Sequence, residues 1–401
     1  MRVDPRLQSP EVASWLDARD PWRAFFPLGV LLAWAGVFHW LLFALGAIDD
    51  FRVAFHATVQ IQGFLTAIAV GFLYTFVPRR TGTEPPSSLE MVAGAAAPVA
   101  LSLAAWQERP ALAQALWTIG MAVVATFVVR RVRSPGGARG LPGVFVWVPW
   151  ALGSGIAGAA LLATAAVLDP SGEPTWWKLG RGLLLQGFVS CLVIGVGGTM
   201  LPQLTRGEPP RRGAGSRRDA LAQTAAAVAF LASFPVEVHV GTRSGFALRA
   251  AVAAGVVVSS ARLWRRPSAP GLHRRLIWIA AWLLPLGYAA VAAVPTLRTA
   301  VLHVVFIGSF ALITLCVSLH VSLSHGGRSS LLAGWTWQVL AMALLLLAAL
   351  VFRLLVGVDP EHLTWWLGSA ASSFLLATLA WASLAVPAIR GRPGAFGAGS
   401  S

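Results

Sequence analysis

The chain has 401 residues, of which 56% are hydrophobic and 12% charged, with 31 basic side chains against 16 acidic ones. A soluble domain carries about 25% charged residues, so this balance excludes an ordinary soluble enzyme and points to helices that cross a bilayer. Two cysteines, Cys191 and Cys316, exclude a disulfide scaffold and read as inert thiols inside helices.

Residues 1–23 are polar and hold no apolar segment of the kind a secretory signal needs. They read as a cytoplasmic tail with a short surface helix around Glu11 to Ala18. Apolar runs then predict twelve transmembrane helices, at 24–47, 55–78, 91–107, 110–130, 143–168, 179–203, 219–239, 246–264, 275–295, 298–324, 331–356 and 363–387. Together they form one all-α domain over 24–387, the third helix being the least regular because it contains Pro98. The closing residues 388–401, ending GRPGAFGAGSS, read as a disordered cytoplasmic tail, since small and polar residues bury too little surface to repay ordering.

Of the 31 basic residues, 23 fall in alternate inter-helix segments and the two tails, among them Arg79, Arg130, Arg206, Arg262 and Arg328. Such alternation is the positive-inside bias. It places both termini in the cytoplasm, agrees with an even number of helices, and accounts for the +15 charge without a nucleic-acid partner. Trp147, Trp150, Trp176, Trp177, Trp365 and Trp366 lie near predicted helix ends, as interfacial anchors do.

Two stretches repeat. QGFLTAIAVGFLYTFVPRRTG, from Gln62, and QGFVSCLVIGVGGTMLPQLTRG, from Gln186, share Gln-Gly-Phe and then Gly, Thr, Pro and Thr at the same offsets, 124 residues apart. A weaker echo runs from His303 to Gly327, with Gly308 aligned to Gly187 at a spacing of 121. Copies on the second, sixth and tenth helices predict three four-helix units around a pseudo-threefold axis normal to the membrane.

Ionisable residues inside a membrane are costly and usually face the protein interior, so the histidines carry the functional reading. His56 opens the second helix and His303 the tenth, at equivalent repeat positions and one membrane depth. Two neutral imidazoles so placed can clamp a haem iron from opposite faces; the competing reading is a pair of interfacial residues. His56, Gln60 and Gly63 share a helix face, Gly63 leaving room for a partner helix or a flat ring. Gln186, Gly187 and Gly308 are read as packing around the same region. His39 lies within the first helix, as a metal ligand, an orienting group or a satisfied core residue. His320 and His325, about 140° apart around the tenth helix, are weaker metal candidates near the cytoplasmic end, and His273 falls in a basic loop. Neither a nucleotide-binding fingerprint nor a Cys-x-x-Cys-His haem attachment motif occurs.

Taken together, Arg23-Ala24-Phe25-Phe26, His56 with Gly63 and Gly71-Phe72-Leu73-Tyr74-Thr75-Phe76-Val77-Pro78, and His303 with Val321-Ser322-Leu323-Ser324-His325-Gly326-Gly327-Arg328 resemble the NnrS family along the whole chain. That resemblance implies a multi-helix bacterial inner-membrane protein containing haem (here a non-covalent haem b) and copper, linked to nitric oxide, nitrosative stress and denitrification, with a diatomic gas as ligand and a respiratory electron donor as partner. His56-Ala57-Thr58-Val59-Gln60 departs from the family pattern His-Ala-His-Glu-Met, and His320 stands where Arg is common. Either a ligand has moved, to His39 or His320, or the metal content differs. The twelve-helix threefold plan is also similar to the catalytic subunit of haem-copper oxidases. An oxidase-type copper site, however, needs three histidines around the sixth and seventh helices, and the sixth offers Gln186 and Cys191 with no histidine. Two other readings are a permease for a metal, haem or small nitrogen compound and an assembly partner of a respiratory complex.

Overall fold

The computed structural model describes residues 20–135, 137, 141–169, 174–209 and 217–391. The surface helix expected around Glu11 to Ala18 and nearly all of the expected C-terminal tail lie outside these residues. Among the described residues, twelve helices are long and apolar enough to cross a membrane: α1 Trp22–Ala44, α2 Val53–Thr81, α3 Ser88–Trp106, α4 Pro110–Val132, α5 Gly143–Leu168, α6 Thr175–Arg206, α7 Arg217–His239, α8 Thr242–Ala261, α9 Leu272–Ala293, α10 Pro295–His325, α11 Trp337–Val358 and α12 Pro360–Arg390. The protein is therefore an all-helical multi-pass membrane protein.

Most limits move by a few residues from those expected, and the causes are local. Helix α8 stops at Ala261 rather than 264 because Arg262 turns into the left-handed region, at φ +53°. The run from 331 is first a short 3₁₀ turn, Ser329–Leu332, and α11 begins only at Trp337, past Gly334. Conversely, α12 continues to Arg390, three residues into the expected tail. Helices α2 and α6 end where the Thr/Arg/Gly turns stand, with Gly82 and Gly207 both at φ +66°, a conformation that costs glycine least. The start of α3 is set by Ser87 and Glu90, whose side chains each bond the other's backbone N–H; Arg131 of α4 then holds the Glu90 carboxylate at 3.2 Å.

Packing closes a ring. Helix α1 packs on α2, α5 on α6 and α9 on α10; α3 packs on α4, α7 on α8 and α11 on α12; and the units join through α4–α5, α8–α9 and α12–α1. Helices α2, α6 and α10 are the three most enclosed of the twelve. Each also contains a π-helical segment, starting at Val59, Leu183 and Val304. These starts are 124 and 121 residues apart, the spacings of the three similar sequence stretches.

Small residues allow the close crossings that hold helices together where no hydrophobic driving force separates protein from lipid. A Cβ on Gly158 would stand 2.7 Å from the Gly180 carbonyl oxygen and 2.8 Å from the Leu184 nitrogen, both backbone atoms that move only if α5 and α6 part. Gly158→Ala is accordingly expected to cost about 1–3 kcal/mol. Gly153→Ala on the same helix, with nothing within 4 Å, should be neutral. Thermal unfolding of the two purified variants side by side checks this.

The tryptophans divide. Trp365 is well exposed, as an interfacial anchor would be, but Trp147 is fully buried and donates through Nε1 to Gln223 Oε1 at 2.9 Å. Its place at a helix start therefore reflects contact between α5 and α7 rather than contact with headgroups.

Candidate functional site

At the end of the bundle remote from Arg79, Arg206 and His325, the opening turns of α2, α6 and α10 surround a cavity of about 680 Å³. Its wall is chiefly apolar and aromatic, with Val37, Trp40, Phe64, Leu65, Phe306 and Phe374 among its residues. Set into that wall, among the described residues, are two imidazoles, His56 and His303, two amides, Gln60 and Gln186, four cations, Lys178, Arg181, Arg298 and Arg353, and one carboxylate, Glu237. Each of the three helices switches to π geometry just inside this cavity, and such insertions recur at functional sites.

His56 and His303 thus share one space, yet their ring nitrogens are engaged differently. His56 Nδ1 donates to the Gly36 carbonyl of α1 at 2.7 Å, which fixes the tautomer and leaves Nε2 as a lone pair. That is how a metal-binding imidazole is oriented. Gln60, one turn on, donates to the Ala33 carbonyl at 2.9 Å and so ties the same helix pair. In α10, His303 Nδ1 donates to the Thr299 carbonyl at 2.8 Å, but its Nε2 already accepts a bond from Arg353 Nε at 3.2 Å.

His39 is buried and does not line the cavity. It packs between Trp40 and Phe55, with ring centroids at 4.8 and 5.3 Å, and lies 6.3 Å from the His56 ring; neither of its nitrogens meets a hydrogen-bond partner. It stands five residues from the end of α1, closer to the outer end than the expected helix limits implied. At the opposite end of the bundle, His320 Nδ1 and His273 Nε2 share a hydrogen bond at 3.1 Å. His273 is not in a loop: α9 starts at Leu272, and His273 is buried against α10. His325 donates from Nδ1 to the Val321 carbonyl at 3.0 Å and accepts from Arg79 through Nε2, so it faces away from His320.

The three aligned glycines, Gly63, Gly187 and Gly308, face neighbouring helices and are not among the residues that line the cavity. A Cβ on Gly63 would meet Ser102 of α3, one on Gly187 Phe234 of α7, and one on Gly308 Leu283 of α9 and Leu350 of α11. They stand where neighbouring helices approach closely, and for Gly63 that neighbour is α3.

Behind the cavity wall lies a network that the histidine-centred reading missed. Arg249, fully buried in α8, donates to Gln186 Oε1 at 2.7 Å, to Ser233 Oγ at 3.0 Å and to Glu237 Oε2 at 2.8 Å, between the rings of Phe234 and Phe246. Arg298 holds the other oxygen of Glu237 at 2.8 Å. The signal was present in the sequence: Arg249 and Arg353 interrupt apolar runs, and such residues are rare enough to mark function or a buried partner. At the equivalent position of α2, Gln62 exchanges two amide bonds with Gln114 of α4, at 2.8 and 3.0 Å. Gln62→Leu should cost about 1–3 kcal/mol by stranding the buried Gln114 amide, while the Gln62→Leu/Gln114→Leu pair should recover much of that loss. Thermal melts of the single and double variants decide it.

Residues 18–392 match the family model described as NnrS protein. No curated protein matches the chain. A match over nearly the whole sequence, across all twelve helices and the cavity they enclose, places this chain in the NnrS family.

Proposed function

We propose that this chain is a haem b protein of the bacterial inner membrane, with its arginine-rich end and both termini in the cytoplasm, that binds nitric oxide and helps the cell withstand nitrosative stress. One observation carries the reading. His56, its Nδ1 tied to the Gly36 carbonyl so that Nε2 keeps its lone pair, lines an apolar cavity of about 680 Å³ edged, among the described residues, by four cations and a single carboxylate. A haem has matching chemistry: a flat apolar ring, a metal that takes imidazole nitrogen and two carboxylates that take cations. His56 would hold the iron, and Lys178, Arg181, Arg298 and Arg353 are the groups suited to the propionates. His303 would serve as a second ligand once Arg353 releases its Nε2. Bound there, haem supplies an iron that takes a diatomic ligand or passes an electron from a respiratory donor. The chain's own part is to orient His56 through Gly36, to neutralise the carboxylates and to exclude water with the aromatic wall.

Copper fits less well. Among the described residues no group of three His, Cys, Asp or Glu side chains is placed to hold a metal ion. The pairs His39 with His56 and His273 with His320 bring together two imidazoles each, and these are the groups the described residues offer a copper ion.

The permease reading finds less support. Transporters bind cargo near the bilayer midplane between interrupted helices, whereas α2 and α6 run unbroken through their π-helical segments, α10 is interrupted only at Leu302 in its opening turns, and the cavity's ionisable groups gather at that same end. The test is an optical spectrum of detergent-purified protein from haem-replete cells, oxidised, dithionite-reduced and then exposed to nitric oxide. A Soret band that shifts with nitric oxide is expected. Folded protein with no Soret band would sink the haem reading and return the permease to first place.

A further inference from the structure

A second space, of about 100 Å³, lies deeper in the bundle between α2, α6 and α10 and shares Leu65 with the wall of the His56 cavity. Its lining is layered. Ala69, Val193 and Thr314 supply one layer, and Phe72, Val196 and Val317 the next. In both layers the residues stand 124 and 121 apart, the same spacings that relate the π-helical segments. The two layers are three residues apart on each helix, so they form a continuous stripe on its inner face.

The chemistry of this space is uniform. Among the described residues no charged side chain lines it, and its only hydroxyls belong to Thr314 and Ser318. Ser318 Oγ is already engaged, donating to the Leu315 carbonyl at 3.1 Å and accepting from Trp381 Nε1 at 3.0 Å. Water needs two to four polar partners to settle in a cavity, whereas apolar cavities of roughly this size stay dry and take xenon or benzene. Wall atoms facing such a void lack dispersion contacts that a small apolar guest restores.

We propose that this axial pocket is a binding site for small uncharged gas molecules, and that it feeds the His56 cavity past Leu65. The pocket's preference for apolar guests follows from its wall alone; the identity of the gas as nitric oxide rests on the function proposed above. Filling the pocket should abolish it without touching the histidines or the cations, and Val193, on the inner face of α6, is the position to fill.

The experiment compares saturable xenon binding, by ¹²⁹Xe NMR, in full-length wild type and Val193→Trp, in the same detergent so that xenon dissolved in the micelle cancels. Wild type is expected to show a saturable component that the variant lacks. In haem-loaded protein, nitric oxide association should slow at least about tenfold in the variant while the Soret spectrum is unchanged. Equal xenon binding in the two proteins overturns the proposal. Lost xenon binding with unchanged nitric oxide association overturns the link to the cavity. If Val193→Trp does not fold, Val193→Phe and Ala69→Leu reduce the pocket more gently and carry the same comparison. Saturable xenon binding in folded wild type that takes up no haem from haem-replete cells would fail the haem reading while leaving the pocket in place.

Discussion

His56→Ala protein is expected to purify folded but without haem. Removing a group that merely supports a metal ligand typically lowers metal affinity 10–100-fold, and loss of the ligand itself should exceed that. His303→Ala is expected to keep most of its haem, because His303 Nε2 is occupied by Arg353 at 3.2 Å whereas His56 is held through Nδ1 and no described residue bonds its Nε2. The contrast between the two variants, read as haem per polypeptide, is the informative quantity. Arg353→Ala sharpens it: freed of the guanidinium, His303 can compete for the iron, and haem in that background should survive His56→Ala better than in wild type. Equal loss of the Soret band in His56→Ala and His303→Ala would show instead that Arg353 yields and that both imidazoles act together.

The largest expected effect on stability is at Glu237. Its carboxylate is the charge partner of Arg249, whose guanidinium is wholly buried, and it also holds Arg298 at the cavity edge. Breaking a buried ion pair by removing one partner costs about 3–5 kcal/mol, because the remaining charge is left out of water without compensation. Glu237→Ala is therefore expected to melt far below wild type and to purify poorly. Glu237→Gln keeps acceptor and shape but not charge, and should fall between the two. If Glu237→Ala matches wild type in thermal unfolding, the network is not what secures α7 against α8.

Much of this architecture was legible in the sequence. Length and apolarity of each run mark a transmembrane helix because bilayer thickness sets a fixed requirement, and twelve were both expected and found. The limits were less legible, since they turn on single residues such as Arg262, whose backbone conformation depends on what packs around it. The similarity of the stretches at Gln62, Gln186 and His303 pointed to the three helices that prove the most enclosed, each with a π-helical segment at the corresponding place. Membership of the NnrS family, expected from the motifs around His56, Tyr74 and His325, holds for residues 18–392.

Side-chain roles were less accessible. That His56 and His303 open equivalent helices could be read from their positions, but not that Arg353, 50 residues beyond His303, caps its second nitrogen. Nor did spacing reveal that His320 would pair with His273 across α9 and α10 rather than with His325 on its own helix. The amino-acid sequence by itself determined membrane residence, helix number and family, because hydropathy and periodicity act locally along the chain. Only the tertiary structure decided which polar groups meet in the cavity, which imidazole nitrogens are engaged there and where the axial pocket lies, because those depend on contacts between residues tens to hundreds of positions apart.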